Sequence, residues 1–274
     1  MKLALYVKTP ELMNDERLSG LTAELAAAGA EVYCADGAED FREGTDMLLS
    51  VGGDGTFLSA AKRVGDRGIP VLGVNLGRLG FLSENDVDDV VAHLPAGEYS
   101  IEDRELLKVV AEGLDTGPGY YPYALNEVSV HRCGAAMLGI SVTVDGQKLP
   151  VYWADGLLVA TSSGSTAYSL SVGGPICMPE SKVLIIAPIA PHNLNVRPLI
   201  VPDNASIDIS VQSRDGKFML SMDNRTETAD TGTKLSISMA QFSLKRVRLK
   251  KSNFVKALTS KLFWGEDVRN GGEQ

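Results

Sequence analysis

A glycine-rich turn with an acidic residue inside it is the first feature of this chain that could do chemistry. The segment Gly52–Thr56 (GGDGT) follows an apolar run, Met47–Val51, and precedes apolar residues at helical spacing. Glycines leave no Cβ atoms in the way of a bulky ligand, and the start of a helix presents free N–H groups and a positive dipole end. The pattern of strand, glycine turn and helix therefore predicts a site for phosphate.

The carboxylate of Asp54 bears on whether this turn holds phosphate or transfers it. No lysine follows the last glycine, so the turn is neither a phosphate loop nor a dinucleotide fingerprint. A carboxylate beside phosphates repels them unless a metal ion intervenes or it accepts the proton of a hydroxyl group, which favours phosphoryl transfer. Alternatively, Asp54 caps the helix that follows, as aspartate often does. The turn alone leaves both interpretations open.

A long uncharged stretch offers a second kind of chemistry. Residues 156–179 contain no charged side chain, yet serine and threonine are dense among them. Small neutral donors and acceptors are thus concentrated where the backbone can approach a ligand closely, which suits a polar aromatic heterocycle and its ribose. Alternatively, the small residues pack a buried interface between subunits or domains. Both interpretations hold if the site lies at that interface.

Two shorter segments carry polar or aromatic side chains near predicted strand ends. Asn126 and Glu127 stand side by side at the start of a β run, where such residues are usually solvated. Adjacent strand residues point to opposite faces, so only one would dominate a given pocket unless the backbone bends. The glycine-rich segment 75–82 leaves a strand end and carries one cation and one aromatic residue, Phe81, so it is a second candidate site segment. Alternatively, it is an ordinary loop that packs Leu79 and Phe81 into the core.

The histidines, cysteines and basic residues have simpler explanations than catalysis. His93, His131 and His192 lack metal-ligand spacing, and we expect structural roles for them. The three cysteines form no C-x-x-C motif, so they indicate neither a disulfide framework nor a cysteine zinc site and favour a reducing compartment. The basic run 245–251 is better explained as an edge strand protected by cations than as a nucleic-acid contact.

Length and charge limit the class of protein. A chain of 274 residues with 44% hydrophobic residues predicts two domains with well-packed cores. A net charge of -9 argues against a general nucleic-acid or anionic-membrane binder, so any phosphorylated ligand is small and bound locally. Met1–Val7 is too short for the apolar region of a signal peptide, and no run approaches a membrane span. We therefore expect a soluble, cytoplasmic protein with no nucleic-acid or membrane partner.

The first hundred or so residues alternate between strands and helices. This alternation predicts a Rossmann-like α/β domain with a parallel sheet, whose ligands bind outside the carboxyl ends of the strands. Both glycine-rich segments, 52–56 and 75–82, fall at such ends. The predicted strands are Leu3–Val7, Glu31–Ala35, Asp46–Val51 and Ile69–Val74, and the predicted helices are 18–28 and 56–67.

After Pro95–Gly97 the pattern changes to short runs with period-two alternation. It predicts a C-terminal β-rich, sandwich-like domain over 98–251, with hairpin turns at Asp145-Gly146 and Asp215-Gly216. Residues 252–264 return to helical spacing, with Ser252 at the N-cap position, and we expect this terminal helix to pack on the first domain. The predicted first domain is therefore 1–97 plus 252–274.

Taken together, the motifs resemble those of the NAD kinase family, in that family's order. The first motif alone is shared with diacylglycerol-type lipid kinases and phosphofructokinase relatives, but the combination is specific and extends over nearly the whole chain. Trp153, Ser162-Ser163 and Asp223–Arg225 depart from the family pattern, where a basic residue, Pro-Thr and Asp-Gly-Gln are common. The matching segments are 52–56, 75–81, 126–127, 155–175, 191–198 and 261–264.

The resemblance implies an NAD kinase, which transfers the terminal phosphoryl group of ATP to the 2′-hydroxyl of the adenosine ribose of NAD and gives NADP. It implies that ATP, with Mg²⁺ or another divalent metal, lies against the first domain at Gly52, Gly53, Gly55 and Thr56. It further implies that Asp54 faces the ribose 2′-hydroxyl as general base.

The resemblance also implies how NAD is held. Asn126 and Glu127 would contact NAD hydroxyl and phosphate-proximal groups, and Asp155 would hold the nicotinamide end. The adenine side would be lined by Thr166, Ala167, Tyr168 and Ser171, with Phe81 nearby. Relatives are homodimers or homotetramers with the NAD site partly built across subunits, so the β-rich domain would serve both NAD binding and oligomerisation.

Two rival functions use part of the same pattern. A lipid or sugar kinase would share the glycine turn but has no use for the uncharged wall at 164–168. A nucleotide-sensing or scaffold protein would bind the dinucleotide without turnover, and the presence of Asp54 speaks against it. Formation of NADP would distinguish an NAD kinase from both rivals, and NAD binding without a product would support the sensor.

Overall fold

The computed structural model describes residues 1–77, 80–114, 117, 120–251 and 253–264. Two compact units divide the chain: unit 1 comprises 1–103 and the described residues from 244 onward, and unit 2 comprises 104–243. The sequence places these boundaries at 97 and 251. They differ because strands at 99–104 and 244–249 hydrogen-bond into the sheet of unit 1.

The elements are numbered in chain order. The strands are β1 Lys2–Val7, β2 Glu31–Cys34, β3 Met47–Val51, β4 Val71–Val74, β5 Tyr99–Arg104, β6 Leu107–Glu112, β7 Tyr123–Ala124, β8 Glu127–Arg132, β9 Leu138–Val144, β10 Gln147–Lys148, β11 Tyr152–Thr161, β12 Val183–Pro191, β13 Leu199–Pro202, β14 Ile207–Gln212, β15 Lys217–Met222, β16 Arg225–Asp230, β17 Lys234–Met239 and β18 Leu244–Leu249. The α-helices are α1 Glu16–Ala27, α2 Asp54–Val64, α3 Val87–His93, α4 Tyr168–Ser171 and α5 Phe254–Leu262, and 3₁₀ turns occur at Pro10–Asn14, Ala38–Asp40 and Ser163–Thr166.

Unit 1 is an α/β unit built on a six-stranded sheet in the order β2-β1-β3-β4-β18-β5. Neighbouring strands from β2 to β18 pair in parallel, which confirms the Rossmann-like prediction. Strands β3 and β4 are buried along their whole length, as expected for parallel strands. The chain order reverses at β1, which lies between β2 and β3, so the carboxyl ends of β1 and β3 border a crevice where ligands commonly bind.

The helices of unit 1 begin and end where the sequence supplies caps. Asp15 accepts a hydrogen bond from the N–H of Arg17 before α1, and Gly29 takes a positive φ of 87° after it. The terminal helix α5 belongs to unit 1, as predicted. Its N-cap is Asn253, whose side chain accepts from two N–H groups of the helix. The predicted cap Ser252 lies outside the described residues.

Unit 2 is β-rich, as predicted, and its twelve strands form one hydrogen-bonded antiparallel sheet. Residues from both ends of the strand order share a single core: Phe218 and Leu220 of β15 lie in the same cluster as Leu235 of β17 and Leu107 of β6. The sheet must therefore curl so that its inner face encloses this core.

Of the two predicted hairpin turns, one is correct and one is wrong. Asp145-Gly146 joins β9 to β10 as a two-residue turn, with φ of +48° and +79°, and the two strands pair. Asp215-Gly216 lies in a turn between β14 and β15, but these strands do not pair with each other. Strand β14 pairs with β9 and β17, whereas β15 pairs with β8 and β16.

Candidate active site

The glycine turn begins where the buried strand β3 ends. Gly52 has a φ of +142°, and a Cβ atom there would lie 2.5 Å from Thr56 Oγ1, so only glycine fits. Its N–H donates to the carbonyl of Val74 at 2.8 Å, which joins the turn to β4. Gly53 and Gly55 are exposed, and Cβ atoms at these positions would meet nothing within 4 Å. The backbone is therefore open to a ligand at both positions.

Asp54 is the first residue of α2, and Gly53 occupies the N-cap position. The Asp54 carboxylate accepts hydrogen bonds from the backbone N–H of Phe81 on Oδ2 and of Leu82 and Ser83 on Oδ1, each at 2.9 Å. The interpretation of Asp54 as a helix cap is therefore wrong. Its side chain instead joins the segment after β4 to the start of α2.

This carboxylate also explains a glycine in the second glycine-rich segment. A Cβ atom on Gly80 would lie 1.9 Å from Asp54 Oδ1, which no real contact allows. A Cβ atom on Gly77 would lie 3.8 Å from the nearest side-chain atom, an ordinary contact. Arg78 and Leu79 lie outside the described residues.

Phe81 is half-buried rather than fully in the core. Its ring packs against Phe254 of α5, with 6.3 Å between ring centroids. Lys261 of the same helix donates to the carbonyl of Gly80, and its ammonium lies 5.0 Å from the centre of the Phe81 ring. Burial lowers the pKa of Lys261, while the nearby carboxylates of Glu84 and Asp54 oppose that shift. Lys261 belongs to the matching segment 261–264, but its type and spacing alone predict no role for it.

The basic run 245–251 is not an edge strand, because β18 lies between β4 and β5. Arg246 is buried and forms an ion pair with Glu84 at 2.6 Å. It also donates to the carbonyl of Phe81 at 3.0 Å. The Arg246 guanidinium therefore supports the same segment that the Asp54 carboxylate holds. The charge pattern of the sequence does not predict the burial of Arg246, because a buried arginine and a surface arginine cannot be distinguished by residue type.

In unit 2, Asn126 and Glu127 are 7% and 8% exposed, so the expectation that this pair is solvated is wrong. Their backbone is held by Asp223, whose carboxylate accepts from the N–H groups of Leu125, Asn126 and Glu127 at 2.9, 2.8 and 3.3 Å. Asp223 itself takes a left-handed φ of 52°. Burial raises the pKa of the Asp223 carboxyl, and these N–H groups and Arg225 oppose the shift. In the sequence, Asp223 is visible only as part of a segment that departs from the family pattern.

The surroundings of the Glu127 carboxyl favour its neutral form. Burial, followed by the charge of Asp223, raises its pKa to about 8, although the backbone of Tyr168 donates a hydrogen bond to it. Glu127 Oε2 is buried and has no hydrogen-bond partner within the part of the chain that the structure describes. A protonated carboxyl with an uncommitted oxygen can both donate to and accept from a ligand hydroxyl.

Tyr168 begins the short helix α4, and its backbone donates to the Glu127 carboxyl. The rings of Tyr168 and His131 stack with centroids 5.7 Å apart and an interplanar angle of 24°. His131 also bonds the hydroxyl of Ser129 through Nε2 at 2.8 Å, and burial lowers its pKa. The structural role expected for His131 therefore includes fixing an aromatic side chain of the uncharged wall.

The uncharged wall folds as a 3₁₀ turn followed by α4. Gly164 packs directly on the preceding segment, because a Cβ atom there would lie 2.1 Å from the carbonyl oxygen of Asn126. Thr166 and Ala167 are half-buried and Ser171 is exposed, so these side chains stay accessible beside Tyr168. The wall and the Asn126-Glu127 pair are thus neighbours within unit 2.

Asp155 lies on β11 and forms an ion pair with Arg132 of β8, with 2.9 Å between Oδ1 and Nε. Both side chains remain more than a third exposed. Trp153 points to the same face of β11, two residues earlier, and is 43% exposed. A ligand that reached Asp155 would compete with Arg132 for its carboxylate.

The predicted site residues thus form two groups. The glycine turn, Asp54 and Phe81 lie in unit 1; Asn126, Glu127, Asp155 and the uncharged wall lie in unit 2. Within the described ranges no cluster of three or more His, Cys, Asp or Glu side chains could hold a metal ion. Nor is any described helix long and apolar enough to cross a membrane.

Both units match a known family. The profile of the ATP-NAD kinase N-terminal domain matches residues 13–99, and that of the ATP-NAD kinase C-terminal domain matches residues 125–249. The chain belongs to the NAD kinase family. The NAD kinase of Bacteroides fragilis is 43% identical over 228 residues, which cover 82% of this chain and 78% of the relative. That of Cytophaga hutchinsonii is 43% identical over 229 residues with the same coverage.

Solved structures agree with this assignment. The crystal structure of an NAD kinase from Archaeoglobus fulgidus in complex with ATP has a TM-score of 0.78 at 26% identity and covers 96% of this chain and 99% of its own. Yeast NADH kinase complexed with NADH has a TM-score of 0.85, with 98% and 89% covered; at 22% identity it shows the fold alone. The NAD kinase fold therefore extends over both units.

Proposed function

We propose that this chain transfers the terminal phosphoryl group of ATP to the 2′-hydroxyl of the adenosine ribose of NAD and releases NADP and ADP. Membership of the NAD kinase family across both units supports this function. The observation that carries it is the Asp54 carboxylate beside an open glycine turn. Phosphoryl transfer to a hydroxyl group needs both a phosphate cradle and a proton acceptor at one place.

In this proposal the donor phosphates lie against the turn. The exposed backbone of Gly53 and Gly55 at the start of α2 leaves room for phosphates beside a positive dipole end, while Gly52 and Thr56 fix the shape of the turn. A Mg²⁺ ion bound to the donor would neutralise phosphate charge. Phosphate oxygens would be its main ligands, which fits a turn with a single carboxylate.

Asp54 would act as general base. A carboxylate offers about four acceptor positions; three accept backbone N–H groups, and the least occupied oxygen is Oδ2, with the N–H of Phe81 alone. The 2′-hydroxyl would give its proton to this oxygen as it attacks the terminal phosphorus, and the bond from phosphorus to the bridging oxygen would break to release ADP. The three N–H groups would keep the carboxylate oriented towards the 2′-hydroxyl during the transfer.

Unit 2 would hold NAD. Asn126 and the neutral carboxyl of Glu127 would bond NAD hydroxyl and phosphate-proximal groups, and Asp155 would hold the nicotinamide end in exchange for Arg132. The adenine side would be lined by Thr166, Ala167, Tyr168 and Ser171. Phe81 of unit 1 is proposed as a further contact of NAD.

We also propose that the chain is a cytoplasmic homodimer or homotetramer. Its three cysteines are free, which suits a reducing compartment. Large apolar side chains of unit 2 are exposed, with Leu194 at 86%, Ile200 at 49% and Met178 at 48%. Contact with a second copy would remove this apolar surface from water.

One incubation tests the activity. The protein is mixed with NAD, ATP and Mg²⁺, and NADP is separated by chromatography; parallel reactions replace NAD with a diacylglycerol or a sugar phosphate. NADP is expected only with the divalent metal present. Turnover of the lipid or the sugar phosphate without NADP formation would refute the proposal, and NAD binding without any product would identify a sensor instead.

A further inference from the structure

The terminal helix α5 contacts the second glycine-rich segment. The ring of Phe254 packs against Phe81 with 6.3 Å between centroids, and the Lys261 ammonium lies 5.0 Å from the centre of the same Phe81 ring. Lys261 also donates to the backbone carbonyl of Gly80. Of the residues of α5, all of which the structure describes, only Ala257 is buried. The helix therefore contributes one buried side chain to unit 1, whereas Lys261 and Phe254 contact this segment.

One peptide group connects Lys261 to Asp54. The carbonyl of Gly80 and the N–H of Phe81 belong to the same peptide group; the carbonyl accepts from the Lys261 ammonium, and the N–H donates to Asp54 Oδ2 at 2.9 Å. A trans peptide group is planar, and its C=O and N–H point in opposite directions. Lys261 and Asp54 therefore hold this group from its two sides. The carboxylate oxygen that it contacts, Oδ2, is the one proposed above to accept the proton.

The next peptide group repeats this arrangement with Arg246. The carbonyl of Phe81 accepts from the Arg246 guanidinium at 3.0 Å, and the N–H of Leu82 donates to Asp54 Oδ1 at 2.9 Å. A hydrogen bond to a carbonyl polarises the peptide group and strengthens donation by its N–H. Two cations thus act on the Asp54 carboxylate through two successive peptide groups, one for each carboxylate oxygen.

The charge of Lys261 also acts on its surroundings directly. Lys261 is half-buried; burial lowers its pKa, and the nearby charge of Arg246 lowers it further, whereas the carboxylates of Glu84 and Asp54 raise it. Interactions between partly buried charges are screened less than those at the surface. Loss of the Lys261 ammonium would leave two carboxylates and one cation around this segment, so both the charge balance and the hydrogen bond depend on this residue.

We infer that Lys261 is a positioning residue for phosphoryl transfer: through the peptide group of Gly80 and Phe81 it holds the Asp54 carboxylate so that Oδ2 faces the acceptor hydroxyl. The inference rests on the proposed function and adds a role for the terminal helix, whose lysine lies 181 residues after Gly80. Lys261 itself contacts no reacting atom. Its effect on turnover therefore requires the Asp54 carboxylate.

A double-mutant cycle tests this dependence. Lys261→Met keeps an unbranched side chain against the Phe81 ring but cannot donate, and kcat is expected to fall about tenfold or more while the KM for ATP stays unchanged. Lys256→Met removes the same charge from an exposed position of α5 and should behave as wild type. In the Asp54→Asn background, Lys261→Met is expected to change kcat less than about twofold, because the base is already absent. Equal losses in both backgrounds, or an unchanged kcat in Lys261→Met, would overturn the inference.

Hydrogen exchange gives a second readout that needs no turnover. Exchange of the N–H groups of 81–83, followed by peptide mass spectrometry, is expected to be at least about tenfold faster in Lys261→Met than in wild type or Lys256→Met. Strand β14 of unit 2 serves as the internal reference, and its exchange should not change. Unchanged exchange at 81–83 would overturn the inference. A wild-type protein that forms no NADP would refute the proposed function, and the exchange rates would still decide whether Lys261 holds the segment that bonds Asp54.

Discussion

The carboxylate of Asp223 accepts a 2.8 Å hydrogen bond from the backbone N–H of Asn126, which lies 97 residues earlier in the chain. Asp54 holds the N–H of Phe81 in the same way at 2.9 Å. In each unit, then, a carboxylate from one segment orders the backbone of another segment that carries candidate site residues. Removal of such an acceptor leaves several N–H groups without a partner, which costs more than one ordinary hydrogen bond.

Asp54→Asn is expected to lower turnover by about 10² to 10⁴, because an amide cannot accept the proton of the ribose hydroxyl. One amide oxygen replaces two carboxylate oxygens, so part of the support for 81–83 is also lost, at a cost of roughly 1–3 kcal/mol in the free energy of unfolding. Turnover is measured well below the melting temperature with saturating substrates. Full recovery at high Mg²⁺ would identify Asp54 as a metal ligand, and wild-type turnover would refute its role as a base.

Gly80→Ala is expected to displace the Asp54 carboxylate, because the new Cβ atom would lie 1.9 Å from Oδ1. We expect a loss of turnover of the same order as in Asp54→Asn, about 10² or more. The matched control is Gly77→Ala in the same segment, whose Cβ atom would make only a 3.8 Å contact. Similar kcat values for the two alanine variants would contradict the positioning of Asp54 by this segment.

Asp223→Ala is expected to raise the KM for NAD and to destabilise the protein, because three N–H groups at 125–127 lose their acceptor. Loss of a charged acceptor costs about 1.5–3 kcal/mol. The control is Asp208→Ala on β14, whose exposed carboxylate accepts from the Ser236 hydroxyl. Urea denaturation and initial rates at varied NAD concentrations measure both effects, and equal behaviour of the two variants would contradict the prediction.

Glu127 should make stability depend on pH. Its pKa is raised from 4.5 to about 8 in the folded state by burial and by Asp223, so folding favours the protonated form. The stabilisation is fully present below about pH 4.5 and is lost as the pH rises through about 8, with a slope of up to about 1.4 kcal/mol per pH unit. The side chain of Glu127→Gln stays neutral at every pH. The free energy of unfolding of this variant should therefore rise relative to that of wild type as the pH increases.

Denaturation midpoints at pH 5 and pH 8.5 measure this difference, with Glu112→Gln at the exposed end of β6 as the control. If the stability difference between Glu127→Gln and wild type is the same at both pH values, the carboxyl is not buried in its neutral form.

The proposed oligomer is tested by sedimentation. At micromolar concentration the chain is expected to sediment as a dimer or larger, because Leu194, Ile200 and Met178 leave apolar surface exposed on unit 2. Replacement of Leu194 by Glu should shift the distribution towards the monomer without unfolding the chain, since this side chain is 86% exposed. A fully active wild-type monomer would refute the proposal.

Local patterns in the sequence determined the parts of this protein that depend on neighbours along the chain. Alternation of apolar runs with helical spacing predicts β1 to β4, α1 and α2, because one strand or helix buries its own periodic face. The turn at Asp145-Gly146 follows from the need for positive φ at two successive residues. The order of the motifs also identified the family, because the types and spacings of glycines and polar residues are visible in the sequence itself.

Only the tertiary structure decided which residues far apart in the chain contact each other. The cap and base interpretations of Asp54 stayed open until its carboxylate was found on the N–H groups of 81–83. The solvated interpretation of Glu127 failed because Asp223 and the uncharged wall enclose it. Asp215-Gly216 reads like the correct hairpin turn, yet its flanking strands pair elsewhere in a curled sheet. Strand pairing, burial and hydrogen bonds across long loops depend on which segments meet in space, and spacing along the chain does not encode that.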